Sequence, residues 1–308
     1  MRPLFSALGV VAAVVLSTGS CAQETDKVIG RGYPYAVAFI DSHPEVLRLF
    51  PLSGGQEERE LPADLSPFAY SPDGRSLYGF QTRTRPGLLK VELDSMRLSV
   101  VPGSIGLPGA AGIAVSGDGE RFILSGSYYV GGSTRCGLFE LRPSTESFSL
   151  LVENGGCVPR DGLSMWTGLS LSPDGERVVA RGGSGLRIVD LVKRTATPLS
   201  EDYEIGAWSP DGKWLSVVED AGQRRTVLMD AKTLKVERTF VNSAALWSPD
   251  SRYLLALAPD SCGPYWFTFQ AVDVVTGQRV SATGSRCKVN LNTGGWVSLM
   301  RGPAESHP

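Results

Sequence analysis

Apolar positions along this chain come in short runs, each bounded by turn residues and too brief for a helix. Val178-Val179-Ala180, Trp214-Leu215-Ser216-Val217-Val218 and Tyr253-Leu254-Leu255-Ala256-Leu257 are typical. Their β-branched and aromatic residues predict strands. The punctuation between the runs repeats. It reads Ser71-Pro72-Asp73-Gly74, Ser116-Gly117-Asp118-Gly119, Ser172-Pro173-Asp174-Gly175, Ser209-Pro210-Asp211-Gly212 and Ser248-Pro249-Asp250-Ser251. Successive serines are 45, 56, 37 and 39 residues apart. A recurrence of about 40 residues with strand-like flanks is the signature of a propeller blade.

The turn chemistry explains the punctuation. Proline presets φ for the first central position of a type I turn, and serine before it can accept a hydrogen bond. Aspartate tolerates the second central position, and glycine then takes the left-handed conformation that closes a hairpin with a bulge. Ser251 replaces that glycine in the fifth copy, so strain is expected there. One acid per turn is too few for a calcium cage, so turn chemistry rather than metal accounts for the aspartates.

A second hairpin follows each motif. Leu88–Leu93 leads to Leu98–Val101, Gly137–Leu141 to Phe148–Leu150, Leu186–Leu191 to Ala196–Leu199, Thr226–Asp230 to Val236–Phe240, and Phe267–Val274 to Arg279-Val280. Four strands per repeat make one blade.

The repeat Trp-Ser-Pro-Asp-Gly-(Lys/Arg)-x-(Leu/Ile), followed by an Asp-x-x-(Thr/Ser) hairpin, resembles the TolB-type, WD-like propeller repeat of exported bacterial proteins. Trp208 to Leu215 and Trp247 to Leu254 carry the resemblance most closely. It implies an all-β fold of four-stranded antiparallel blades and leaves function open, because one fold hosts many functions. Five blades are complete. Gly294–Leu299 resembles the stretch before each motif, with Trp296 in the place of Trp208 and Trp247. Tyr35–Ile40 and Val46–Phe50 are strands without a preceding motif. Joined, the two ends predict a sixth blade that closes the propeller and removes exposed sheet edges. The domain is expected over residues 35–300, after a signal peptide (1–22) and a short extension (23–34), with a disordered tail (301–308).

The export reading rests on Arg2, the apolar stretch Leu8–Leu16 and the small residues Ser20-Cys21-Ala22, with cleavage expected before Gln23. A lipid anchor at Cys21 is the less favoured alternative, because Thr18 stands where a lipoprotein signal has an aliphatic residue. No later apolar run is long enough to span a membrane as a helix. The protein is therefore expected in the periplasm or secreted. Without the signal the chain holds 29 basic and 32 acidic residues, a balance that argues against a nucleic-acid partner. Four cysteines then remain: Cys136, Cys157, Cys262 and Cys287. An oxidising compartment and an even count favour two disulfides over metal ligation. Of the three pairings that four cysteines allow, Cys136–Cys157 and Cys262–Cys287 suit the topology, since all four fall in loops on one face.

That face carries the long connections: Gly126–Arg135, Asn154–Thr167, Ala258–Tyr265 and Gly284–Asn292. Long loops on a rigid scaffold are where binding groups concentrate. Tyr128, Tyr129, Arg160, Asp161, Trp166, Tyr265, Trp266 and Lys288 are the candidate ligand contacts, because aromatic and basic side chains anchor interfaces. Trp208, Trp247 and Trp296 sit at repeat positions and are expected to be structural.

Nucleophilic hydrolysis is poorly supported. The two histidines are His43, in a turn, and His307, next to the last residue, and no Gly-x-Ser-x-Gly elbow occurs. The better enzyme alternative is a metal-dependent, lactonase-like site on the propeller axis. It would draw on Asp64, Asp161, Glu204, Asn242, Asn290 and Asn292. The main expectation is a non-catalytic propeller that needs no cofactor and binds an envelope protein, peptide or glycan. A scaffold subunit of an envelope assembly is the third reading.

Overall fold

The computed structural model describes residues 35–40, 46–51, 59–60, 65–71, 75–81, 87–107, 110–153, 167–182, 185–220, 224–241, 244–248, 250–259, 266–281, 289–290 and 297–299. Strands among these residues pair into six antiparallel sheets. The first sheet contains β1 (Tyr35–Ile40), β2 (Val46–Pro51) and β3 (Arg59–Glu60). The second runs β4 (Leu65–Tyr70), β5 (Ser76–Gln81), β6 (Leu88–Glu92) and β7 (Arg97–Val100). The third runs β8 (Gly112–Val115), β9 (Phe122–Val130), β10 (Ser133–Arg142) and β11 (Ser147–Glu153). The fourth runs β12 (Thr167–Leu171), β13 (Arg177–Gly182), β14 (Gly185–Asp190) and β15 (Thr195–Ser200). The fifth runs β16 (Tyr203–Trp208), β17 (Trp214–Asp220), β18 (Arg224–Asp230) and β19 (Val236–Val241). The sixth runs β20 (Ala244–Trp247), β21 (Tyr253–Pro259), β22 (Trp266–Asp273) and β23 (Arg279–Ser281), and β24 (Val289–Asn290) also pairs with β22. β25 (Val297–Leu299) returns to the first sheet and pairs with β1, so both chain ends share it.

The sheets stack face to face as a β-propeller. Inner strands such as β6, β8 and β14 therefore bury both of their faces, which is why their apolar runs are nearly continuous, whereas the outermost strands β7, β11 and β15 are largely exposed. In β9, Phe122 and Leu124 face Tyr78, Phe80 and Leu88 of the second sheet. Ile123, between them, faces Val178, Ala180 and Val189 of the fourth. The same alternation puts Val227 and Met229 against the fourth sheet and Leu228 against the sixth. The first strands β4, β8, β12, β16 and β20 are neighbours in that order, which places them innermost.

The repeated turns are hydrogen-bonded boxes. In the fourth copy the Ser209 hydroxyl donates to Asp211 Oδ1 at 2.7 Å and accepts from the Trp214 N–H at 2.9 Å. Asp211 Oδ1 also accepts from the Lys213 N–H at 3.1 Å. Ser116-Asp118, Ser172-Asp174 and Ser248-Asp250 repeat the pattern. Each of these serines is buried, so its hydroxyl has to find partners inside the protein. The aspartate is thus a hydrogen-bond acceptor within its own turn, a role beyond merely tolerating the position. Ser251 adopts φ +61°, as the fifth turn requires. Its hydroxyl accepts the Asp211 N–H at 3.0 Å, so the residue that departs from the motif ties two adjacent sheets together. The Arg121 guanidinium donates likewise to the Gly175 carbonyl, and Arg177 Nη1 to the Ala231 carbonyl at 2.9 Å.

Trp208 and Trp247 are buried between sheets, as their repeat positions predict. Trp247 Nε1 donates to the Ala207 carbonyl at 3.0 Å, and the Arg177 guanidinium lies 4.6 Å from the Trp208 ring centre.

The boxes make stability sensitive to acid. The Ser116 hydroxyl and the Glu120 N–H hold Asp118 below the usual carboxylate range. Partial burial raises Asp174 and Asp211, but the bonds from Ser172 and Ser209 and from the backbone outweigh it, and both end lower than normal. A carboxylate depressed in the folded state stabilises fully above its unfolded pKa of about 3.9, and this is lost as pH falls through the folded value. The urea midpoint should therefore hold steady between about pH 7 and pH 5 and drop below about pH 4. A midpoint as high at about pH 3 as at neutrality would contradict the box.

Candidate functional site

Antiparallel order sorts the connections onto two faces. The Ser-Pro-Asp-Gly boxes share one face with the turns between third and fourth strands. Connections between second and third strands, and between sheets, occupy the opposite face.

On that opposite face the structure corrects several expectations. Gly126–Arg135 is not a loop. β9 and β10 pair without a break from Phe122↔Leu141 to Val130↔Ser133, around the two-residue turn Gly131-Gly132. Among the described residues β8 ends its pairing at Ser125 and β11 at Gly137, and the rest of the hairpin pairs with itself as a two-stranded ribbon. Strand alternation then separates two adjacent tyrosines. Tyr128, on the side of Phe122 and Leu124, is 2% exposed, whereas Tyr129 is 75% exposed. The Tyr128 ring meets Phe139 and Phe148 edge-on, at 4.6 and 5.0 Å, and those two stack on each other at 5.2 Å. It reaches them by lying over Gly126, where a Cβ would come within 2.6 Å of the ring. Burial pushes the Tyr128 phenol well above its ordinary pKa, and among the described residues its hydroxyl has no partner. Tyr128 is therefore an anchor facing inward and Tyr129 is displayed. Cys136 also lies in β10 rather than in a loop; it is buried and disulfide-bonded, and its partner is outside the described residues.

Three ion pairs lie on this face. Arg135 pairs with Glu153 at 2.8 Å at the ribbon's base. On the fourth and fifth sheets, Arg181 reaches Glu204 at 3.7 Å and Arg225 bonds Glu219 through Nε. Both arginines are at strand ends on this face. Their side chains are 41% and 47% exposed, above glutamates only 17% and 15% exposed. Tyr203 joins the two pairs, since it lies opposite Glu219 and adjoins Glu204 in sequence. Partial burial and the Glu219 charge raise the Tyr203 phenol, and the Glu219 hydrogen bond raises Arg225.

Glu204 has a particular backbone setting. Tyr203 pairs with Glu219 and Ile205 with Val218, which leaves Glu204 as the extra residue of a bulge. β4, β12 and β20 bulge at the same place, between Leu65 and Phe68, Thr167 and Ser170, and Ala244 and Leu246. Their inserted stretches are Ser66-Pro67, Gly168-Leu169 and Ala245, all uncharged. Bulges re-aim side chains, and here a single one of the four carries a carboxylate.

Of the other predicted contacts, Trp266 lies in β22, paired with Asn290 of β24, and its loop is shorter than expected because β21 runs to Pro259. This places Asn290 beside a third strand rather than at an innermost one. Arg160, Asp161, Trp166, Tyr265, Lys288, Cys157, Cys262 and Cys287 lie outside the described residues, as do Asp64, Asn242, Asn292 and Trp296. The same holds for the expected signal peptide, extension and tail. Among the described residues no group of three His, Cys, Asp or Glu side chains could hold a metal ion, and no helix is long and apolar enough to cross a membrane. The reading of the chain alone missed Arg181, Tyr203, Glu219 and Arg225. Their partners are remote in sequence or across a strand, and no local motif marks them.

No family model matches the chain, and no curated protein matches it in sequence. Solved structures do match. TolB from Acinetobacter baumannii aligns over 87% of this chain with a TM-score of 0.57 and 16% identity, and the chain spans 64% of that protein's length. A TolB candidate from Agrobacterium tumefaciens aligns over 88% of this chain and 99% of its own, with a TM-score of 0.55 and 16% identity. An oligogalacturonate lyase from Vibrio parahaemolyticus aligns over 77% of this chain and 71% of its own, with a TM-score of 0.53 and 13% identity. At these identities the likeness is one of fold, a TolB-like β-propeller.

Proposed function

We propose that the chain is an exported, non-catalytic binding propeller that engages an envelope protein through the face bearing the β9–β10 ribbon. One observation carries this reading. A ribbon extends past its described sheet partners, with one tyrosine wedged into an aromatic cluster and the next three-quarters exposed. A rigid, pre-positioned aromatic loses little entropy when a partner covers it. In this reading residues 1–22 are the removed leader, the mature protein works in the periplasm, and the six sheets are six blades of one closed ring. Cys136 shares its face of β10 with Leu138, which packs toward the fourth sheet. The connection 154–166 enters that sheet, so Cys157 is its proposed disulfide partner. Cys262 and Cys287 would form the second bridge, beside β22. Trp166, Tyr265, Trp266, Arg160, Asp161 and Lys288 would extend the contact surface.

The test is a crosslinked pull-down from the native envelope with residues 23–308 as bait, beside Tyr129→Ala. Capture should fall at least about ten-fold in the variant, the size of effect expected for an interfacial aromatic anchor. A partner held equally by both would place the contact elsewhere and favour the scaffold role. The lyase among the structural neighbours leaves an enzymatic reading open, and the form of it that the sequence offers is a metal-dependent, lactonase-like site on the axis. Saturable binding of a divalent ion, lost on changing Asp64 and Asn242, would favour it.

A further inference from the structure

We infer that Arg181, Arg225 and Tyr203, held by Glu204 and Glu219, form a subsite for the carboxylates of an acidic segment in the partner protein; this rests on the binding face proposed above. The two ion pairs are contiguous, because Glu204 adjoins Tyr203 and Tyr203 lies opposite Glu219. In each pair the glutamate is mostly covered and the arginine half-exposed. The carboxylate beneath therefore fixes the guanidinium while its outer edge stays open. Arg225 uses Nε for Glu219, so among the described residues both terminal nitrogens are left for an incoming group. A guanidinium offers donors in a fixed fork that matches a carboxylate, and pre-orientation lowers the entropy lost on binding. The scaffold also points to a ligand role. Four innermost strands carry the same bulge, and in the fifth sheet alone it holds a charged side chain, the one that reaches across to Arg181.

A protein segment fits better than a small anion. Small ligands are taken in concave sites that bury most of their surface, whereas these guanidiniums lie at strand ends with over two-fifths of their surface exposed. Arginine and tyrosine are also the side chains that dominate protein interfaces, and Tyr129 on the neighbouring ribbon supplies an apolar anchor.

Fluorescein-labelled polyglutamate, followed by anisotropy against residues 23–308, tests the inference, with a polyuronate as competitor. Saturable binding is expected, weakened at least about ten-fold in the Arg181→Gln/Arg225→Gln double variant. The Glu204→Gln/Glu219→Gln double variant is the discriminating one. It makes the surface more positive, so simple charge attraction predicts tighter binding, while loss of the fixed guanidiniums predicts weaker binding. Weaker binding with an unchanged urea midpoint supports the subsite. Tighter binding, no saturable binding, indifference to the arginine changes, or a strong preference for the polyuronate would each overturn it. A partner lost by Tyr129→Ala yet kept by the arginine variant would leave the binding face standing and remove only this subsite.

Discussion

Replacing Gly185 with alanine should be one of the most damaging single changes in this protein. Gly185 opens β14 at φ +94°, and a Cβ there would lie 2.4 Å from the Ser200 carbonyl oxygen and 2.5 Å from Glu201 Cα. Both neighbours are backbone, so no side chain can swing aside. Strain at the unfavourable φ and overpacking each cost about 1–3 kcal/mol, for a combined loss of about 3–5 kcal/mol. Gly212 provides the control. It has φ +72°, but the nearest atom, on the Pro173 ring, is 3.8 Å away. Gly212→Ala should therefore lose only about 1–2 kcal/mol, the cost of the left-handed conformation alone. Urea midpoints of the two variants give the comparison. Equal losses would mean that the backbone contact at Gly185 relaxes without cost.

The second large effect is expected at Phe139. Its ring is fully buried and is shared by Tyr128 and Phe148. Phe139→Ala should cost about 3–5 kcal/mol, through lost burial and the cavity left behind. It should also loosen the ribbon, so partner capture should fall even at temperatures where the variant remains folded. Tyr128→Phe separates ring from hydroxyl. The hydroxyl is buried without a partner among the described residues, so removing it should leave stability unchanged or raise it by up to about 1–3 kcal/mol, the cost of desolvating an unpaired polar group. A marked loss in Tyr128→Phe would reveal a hydrogen bond to a residue beyond those described.

Which features could be read from the chain follows from where their causes lie. The turn boxes were legible because serine, proline, aspartate and glycine act within a few residues of one another. Trp208 and Trp247 were legible from their place in the repeat. The ribbon was not, because Gly126, Gly131 and Gly132 look like loop residues and only pairing with β10 extends the strand. Alternation did hold a clue to its tyrosines. Phe122, Leu124, Gly126 and Tyr128 fall on one face, which separates Tyr128 from Tyr129 once the strand is known to continue. Glu204 stood out in the chain without its surroundings. It was grouped with candidate metal ligands on the axis, whereas it rides on a bulge and pairs with an arginine of the neighbouring sheet. A bulge is a property of register between strands, and no residue type announces it.

The sharing of one sheet by both ends has a bearing on how the molecule assembles. β25 is held to β1 through Ala36↔Leu299, Val37↔Ser298 and Ala38↔Val297. These are contacts between residues separated by almost the whole described chain, so their loop-closure entropy is paid late and in one step. The first strands of the chain must wait for β25, the last of those described, before their sheet is complete. During that interval β1 offers an unpaired edge, and an unpaired edge is where another chain can add. The interval is thus the point at which a chaperone, or a second unfinished copy, would compete with β25 for that edge.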